Sequence, residues 1–201
     1  MDARDLLIEE HSAVHSAAVG GNKASMAERT FGGLTDDQMR VRPREDLNSL
    51  AWIMWHIARA EDIIANLVVN GRDQVLDDGW LPRLKINRRD FGIGMTKPEV
   101  AELSTAVDIA ALRDYRDAVG RRTRDILGGY GPKDWEGDLE AAAVERAAAL
   151  GCFGNRTEAL VKAFTGRPRR AVLSGILVMH SAMHMGEGAT VRTAGGFGTG
   201  I

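Results

Sequence analysis

The chain has 201 residues, 44% of them hydrophobic, which suits one domain with a sizeable buried core. Its net charge is −2 with acidic and basic residues interspersed, so the composition predicts no nucleic-acid partner. The single cysteine, Cys152, excludes an intramolecular disulfide, and we interpret it as a small packed side chain in a reducing compartment.

No stretch of the sequence has the pattern of a targeting or membrane-spanning segment. The N-terminal segment MDARDLLIEEH is charged throughout, whereas a signal peptide has a basic flank followed by an apolar run. A bilayer requires about 20 consecutive apolar residues, and no run in this chain approaches that length. We therefore expect a cytoplasmic protein without membrane association.

The chain begins with a predicted helix over residues 2–31, capped by Asp2 and kinked at the glycine pair 20–21. His11 and His15 lie on one face of this helix, at the i, i+4 spacing that can bind a metal. An antiparallel neighbouring helix would place them at a different height from the later histidines. We interpret them as partly exposed surface residues, and their contribution to a metal site stays an open alternative.

A turn-rich connection follows over residues 32–47, in which Thr35 predicts the start of a short helix and Pro43 prevents its continuation. The connection carries three arginines: Arg40, Arg42 and Arg44. They are most simply a solvated loop. The alternative is that they line the mouth of a site and bind an anionic co-substrate.

The second predicted helix runs from Asn48 to Asn70, with Asn48 or Ser49 as its cap. Apolar residues recur on one stripe of this helix at the three-and-four spacing. His56 lies at the border of the stripe, so the pattern predicts that its imidazole faces the interior of the bundle.

A long connection follows over residues 71–106, with a predicted short helix at 97–103. Connections of this length are often lids or binding loops. Trp80, Leu81 and Phe91 could wall a pocket, but we favour the simpler interpretation that they anchor the crossover to the bundle. The third long helix is predicted at 107–127, and short accessory helices follow it.

The last predicted helix, Ala171 to Thr193, carries two more histidines on its apolar side. His180 and His184 are again at i and i+4, so their imidazoles project side by side. Glu187 lies one turn further on the same face. It could orient an imidazole, act as a base, become a fourth ligand, or pair with an arginine such as Arg59 at the bundle edge.

No segment alternates in hydrophobicity as a strand does, so we predict an all-α protein. The predicted architecture is a four-helix bundle with a long crossover between helices 2 and 3 and short accessory helices before helix 4. Residues 1–194 are predicted to form this domain, and residues 195–201 a flexible glycine-rich tail unless Phe197 docks.

Three segments resemble the DinB/YfiT-like superfamily of small bacterial four-helix metalloproteins: Asn48–Trp52, Trp55–Ala58 and His180–Glu187. The crossover segment Arg89–Thr96 is similar to an actinobacterial-looking subgroup. In that family one histidine of the second helix and two of the last helix bind a divalent metal. The resemblance therefore implies His56, His180 and His184 as metal ligands, with a hydrogen-bonded polar cluster as the alternative.

The resemblance also carries expectations about function. Relatives include thiol-dependent S-transferases of the mycothiol or bacillithiol type, which implies a metal-dependent enzyme acting on a small molecule. Its cofactors would be a divalent ion, zinc or nickel, and a low-molecular-weight thiol as co-substrate, and its assembly a homodimer. Metal-hydroxide hydrolysis at the same centre is a second possible reaction. The alternative function is a non-catalytic, metal-stabilised stress-related or ligand-binding module that acts as a dimer.

Overall fold

The computed structural model describes residues 2–199, and within that range it contains helices and no β-strand. The α-helices are α1 (Ala3–Val14), α2 (Ala17–Gly20), α3 (Met26–Phe31), α4 (Asp36–Arg40), α5 (Leu50–Ala60), α6 (Trp80–Leu84), α7 (Lys97–Ala106), α8 (Ile109–Gly128), α9 (Ala141–Ala149), α10 (Thr157–Phe164), α11 (Arg169–Ser174) and α12 (Ser181–Ala194). Two segments are π-helical: Glu61–Val69 continues α5, and Gly175–His180 joins α11 to α12. Short 3-10 turns lie at Pro132–Trp135 and Gly154–Arg156. In the part of the chain described, no helix has the length and apolarity needed to cross a membrane.

The principal bundle is formed by α1, α5 with its π continuation, α8, and the continuous last helix from α11 to α12. This arrangement confirms the predicted all-α bundle, with a long crossover between helices 2 and 3 and accessory helices before helix 4. The α5 helix is the central element, because α4, α7, α8 and α12 all pack against it. Every residue of Leu50–Val69 is buried. Its polar side chains are buried as well, and Arg59 and Asp62 among them form an ion pair.

The prediction of one continuous first helix over residues 2–31 is wrong, because this region forms three separate helices. The first break is at His15, whose backbone is extended. Ser16 follows, and its Oγ donates a 2.5 Å hydrogen bond to Oδ1 of Asp117 on α8. A second break lies at the predicted glycine pair. Tertiary contacts with α8 therefore compete with the helix at a point where the sequence shows no glycine or proline.

The long crossover is anchored to the bundle, as predicted for its aromatic residues. Trp80 packs against Tyr115, with 5.4 Å between the ring centroids. Phe91 is buried, and its ring lies edge-on to Phe153 at 6.1 Å. The α7 helix begins at Lys97 as predicted and continues three residues beyond the predicted end. These contacts hold the crossover beside α5 and α8.

The loop arginines differ from the prediction of a solvated loop. Arg40 donates to three carbonyl groups in and just after the last turn of α7, and Arg42 donates to carbonyls of its own loop and of Lys97. Arg44 alone is exposed, and it pairs with Asp46 at 2.6 Å. The first two arginines therefore join loops together, and their bonds do not involve the histidines.

The last helix ends in a docked turn. The backbone N–H of Phe197 donates to the carbonyl of Arg192 at 3.0 Å. The Phe197 ring also covers the position that a side chain on Gly195 would occupy. The described part of the predicted tail is therefore folded back on α12, while residues 200 and 201 lie outside the described range.

Candidate metal centre

Three histidines from two helices converge inside the bundle. His56 comes from α5, His180 ends the second π-helical segment, and His184 lies on the first turn of α12. The Nε2 atoms of His56 and His180 are 3.1 Å apart. The ring of His184 lies 4.6 Å from each of the other two rings, centroid to centroid. One ligand nitrogen from each residue lies within 4.8 Å of the others, so the residues predicted from the sequence lie together.

The protonation of His56 follows from its hydrogen bond. Its Nδ1 contacts the backbone carbonyl of Phe91, and a carbonyl can only accept, so Nδ1 carries the proton. Burial, with a further contribution from His184, lowers the pKa of His56 to about 4. The ring is therefore neutral at pH 7, and Nε2 presents a lone pair to the other two histidines. Trp52 stacks on the ring at 4.8 Å and 7°, which fixes its plane.

The backbone turn at Gly92, in the crossover, positions the Phe91 carbonyl that accepts the hydrogen bond of His56. Gly92 has φ of +84°, a conformation that side chains disfavour, and a Cβ there would lie 2.6 Å from the Trp55 ring. Its N–H donates to Oδ1 of Asp90 at 2.7 Å. This tight turn places the Phe91 carbonyl against His56. The sequence predicts Phe91 only as an anchor of the crossover. The role of its backbone carbonyl could not be predicted, because any residue type supplies the same carbonyl.

Glu187 holds the third ring. Nδ1 of His184 donates to Oε2 of Glu187 at 2.6 Å, and the Asn48 amide donates to Oε1 at 2.7 Å. Burial raises the pKa of Glu187, but these two hydrogen bonds outweigh it and leave the pKa below its usual value. Arg59, considered above as a partner, is instead buried against Asp62. Asn48 is likewise not the helix cap, a role that Ser49 fills.

The three rings cannot satisfy one another by hydrogen bonds alone. His56 is neutral and donates through Nδ1, so it presents an unprotonated Nε2 to the centre, and the Nδ1 of His184 is held by Glu187, so only Nε2 of His184 can reach the centre. His180 is neutral, since burial and then His56 and His184 lower its pKa to about 3. Its single proton can serve the Nε2 lone pair of His56 or remain on its own Nδ1. Its Nδ1 is buried without a hydrogen-bond partner among the described residues. A shared cation fits this donor set, and backbone carbonyls satisfy His56 alone.

Comparison with known proteins assigns the family. The sequence profile of the DinB superfamily matches residues 23–187, a range that includes all three histidines and Glu187. The chain belongs to the DinB superfamily. Among curated proteins, none matches this sequence.

A solved structure supports the fold of this DinB-superfamily chain. The crystal structure described as the conserved protein of a locus from Enterococcus faecalis superposes with a TM-score of 0.68. The comparison covers 96% of this chain and 97% of that one, at 19% sequence identity. At this identity the likeness supports the fold alone.

The DinB site opens to solvent along the last helix. His180 and His184 are partly exposed, whereas His56 is buried. Met179 and Met183 flank them and are 69% and 61% exposed. The two histidines of the last helix therefore lie at the edge of the bundle, next to two exposed methionines.

Proposed function

We propose that this DinB-superfamily protein is a metal-dependent enzyme with a three-histidine divalent site at His56, His180 and His184. The observation that carries the proposal is the convergence of one nitrogen from each histidine, with the Nδ1 atoms of His56 and His184 both held by other groups, so that only their Nε2 atoms face His180. Three protein ligands and one accessible position are typical of catalytic rather than structural metal sites.

The residues around the ligands have separate tasks. The Phe91 carbonyl and the Glu187 carboxylate each hold an Nδ1–H, which directs Nε2 of His56 and of His184 to the centre. Both oxygens of Glu187 are already occupied by His184 and Asn48. We therefore assign Glu187 as a positioning residue, in preference to a base or a fourth ligand. A zinc or nickel ion bound by three neutral imidazoles would lower the pKa of a coordinated thiol or water.

The reaction that fits best is transfer of a low-molecular-weight thiol. The sulfur of the thiolate would bond to an electrophilic carbon, the leaving group would depart with its bonding electron pair, and the thiol proton would pass to solvent. Cys152 cannot supply this sulfur, because it is fully buried and burial raises the pKa of its thiol. The thiol must then be a co-substrate of the mycothiol or bacillithiol type. Met179 and Met183 offer apolar surface for a small substrate, and the expected homodimer remains part of the proposal.

Metal content of protein purified without an affinity tag tests the site. We expect the wild type to carry metal at His56, His180 and His184, and His184→Ala to lose that equivalent. A matched control is Glu145→Gln, an exposed residue on α9, which should keep it. Metal that is unchanged in His184→Ala would overturn the proposal.

Turnover tests the reaction. Mycothiol, bacillithiol and glutathione are offered with 1-chloro-2,4-dinitrobenzene, and chloride release is followed in wild type, His184→Ala and Glu145→Gln. The expected result is turnover with at least one thiol that disappears in His184→Ala alone. A chelator should leave a folded, inactive bundle. Unfolding on metal removal, with no turnover of any thiol, would instead support the non-catalytic module.

A further inference from the structure

A second group of metal-ligating side chains lies on the other side of the central helix. Nε2 of His11 is 3.2 Å from Oε1 of Glu61, and Nε2 of His15 is 4.0 Å from Oε2. One ligand atom from each residue lies within 4.8 Å of the others. The three residues are 0%, 1% and 4% exposed. The prediction that the two histidines are partly exposed is therefore wrong, because α1 packs against α8 and His11 contacts Glu61 on the continuation of the central helix.

This cluster is separate from the site described above. Glu61 follows His56 by five residues, which on an α-helix at 100° per residue turns its side chain by about 140°. His11 and His15 lie in and just after α1, outside the residues 23–187 that match the DinB superfamily. The second cluster thus includes two residues that the family match does not cover.

Nε2 of His15 is buried without a hydrogen-bond partner in the described part of the chain. Its Nδ1 lies 2.8 Å from the N–H and 3.1 Å from Oγ of Ser16. If Nδ1 accepts that N–H, the proton sits on Nε2 and faces Glu61 at 4.0 Å, beyond hydrogen-bond distance. If Nδ1 is protonated it donates to Oγ, which itself donates to Asp117. The 2.8 Å bond from the Ser16 N–H favours the first tautomer, and a cation bound at Nε2 requires the second one, in which the ring gives up that bond and donates to Oγ instead.

The His15 ring packs against Gly120 on α8, where any larger residue would contact the ring. A Cβ on Gly120 would lie 2.4, 2.7 and 2.9 Å from Nε2, Cε1 and Cδ2 of His15. Nearly equal distances to these three atoms put that Cβ over the face of the ring and not in its plane. The imidazole therefore lies flat on the α8 backbone, so α8 covers the face of the ring and not its edge at Nε2.

The charges around the cluster allow a cation. Burial raises the pKa of Glu61, but His11 and other nearby donors outweigh burial and leave it lowered, so the residue is a carboxylate. Arg116 is buried beside it and opposes a further positive charge. Arg124 also acts on His15, while Glu28 and Asp117 join Glu61 in offsetting the charge of Arg116, so carboxylates and guanidinium groups both lie near the cluster.

We propose that His11, His15 and Glu61 form a second site for a divalent first-row metal ion. Two imidazole nitrogens and the two carboxylate oxygens, each near one histidine, can supply four ligand atoms. Because all three residues are buried, the site has no position for a substrate and is structural. It ties α1 to the π-helical continuation of the central helix.

Counting zinc in the two sites separately tests the inference. Elemental analysis follows dialysis against zinc and gel filtration of the tag-free full chain. We expect two equivalents in the wild type, one in His184→Ala, one in Glu61→Gln and none in the double variant. One equivalent in the wild type that His184→Ala removes and Glu61→Gln keeps would overturn the second site. The proposed enzyme site is judged by the His184→Ala loss alone, so the two failures are distinguishable.

A pair of glycine variants on α8 tests the site without substituting any ligand residue. Gly120→Ala should displace the His15 ring and remove one equivalent. Gly128→Ala, with no atom within 4 Å of the added carbon, should keep both. Circular dichroism checks folding, and if a variant does not fold, the comparison of wild type with His184→Ala still decides. Equal zinc in the two folded glycine variants would count against the site.

Discussion

Nδ1 of His184 donates a 2.6 Å hydrogen bond to Oε2 of Glu187, and the other oxygen of that carboxylate accepts from Asn48. Asn48, which lies just before α5, and two residues of the last helix are thus joined beside the three histidines. These two hydrogen bonds fix the orientation of the His184 ring. Removing the charge at its centre should weaken the site without removing any ligand.

Glu187→Gln should lower the zinc affinity of the three-histidine site by about 10–100-fold, the usual effect of losing such a partner. The neutral amide keeps the size of the side chain but no longer accepts strongly from both neighbours. Competition with a chromophoric chelator at pH 7 measures the affinity, with Glu145→Gln as the control. An affinity within twofold of the wild type would mean that Glu187 does not position His184.

Gly188→Ala should destabilise the fold by about 1–3 kcal/mol through overpacking. A Cβ there would lie 2.5 Å from Cγ2 of Thr30 and 3.3 Å from Cδ2 of Leu50, where α12 meets α3 and α5. Gly186→Ala on the same helix meets nothing within 4 Å and should stabilise by about 0.5–1 kcal/mol. Urea unfolding of both variants measures whether each substitution lowers or raises the free energy of unfolding. Equal changes in the two variants would contradict the close helix contact at Gly188.

The metal-free protein should lose stability as the pH falls below about 6.5. The folded pKa values of His56 and His180 are lowered to about 4 and about 3, so the unfolded chain binds more protons in this range. Stability then rises with pH by up to about 1.4 kcal/mol per pH unit and per histidine, and is complete above the unfolded pKa. Urea unfolding of chelator-treated protein between pH 4.5 and 7.5 measures the slope. His56→Ala should reduce it, and an unchanged slope in that variant would contradict the assignment.

Asp62→Ala should destabilise the protein by about 3–5 kcal/mol, because it leaves the buried Arg59 guanidinium without its carboxylate. Asp62 is fully buried, accepts from Arg59 at 3.0 Å and from the Tyr115 hydroxyl at 2.7 Å, and also receives two backbone N–H groups of the crossover. Asp125→Ala, on the exposed side of α8, should change stability by less than about 0.5 kcal/mol. Thermal unfolding of the two variants makes the comparison. A small effect at Asp62 would show that Arg59 finds another partner.

Much of the site could be predicted because its signals are local. The i, i+4 spacing of His180 and His184 and the apolar stripe around His56 each depend only on helix geometry. Glu187 was recognised on the same face, but its partner was not. The Asn48 amide that completes its bonds comes from a residue 139 positions away. The hydrophobic period shows which face of a helix is buried. It contains no information on which polar groups of two different helices contact each other.

The amino-acid sequence by itself determined the helical class, the order of the long helices and the three histidines that point inward, since hydrophobic period and side-chain spacing are properties of each helix alone. Only the tertiary structure decided the burial of His11 and His15, the π-helical segments and the Phe91 carbonyl that holds His56. Burial depends on which surfaces pack together, and a carbonyl belongs to the backbone, so neither leaves a pattern of residue types to read.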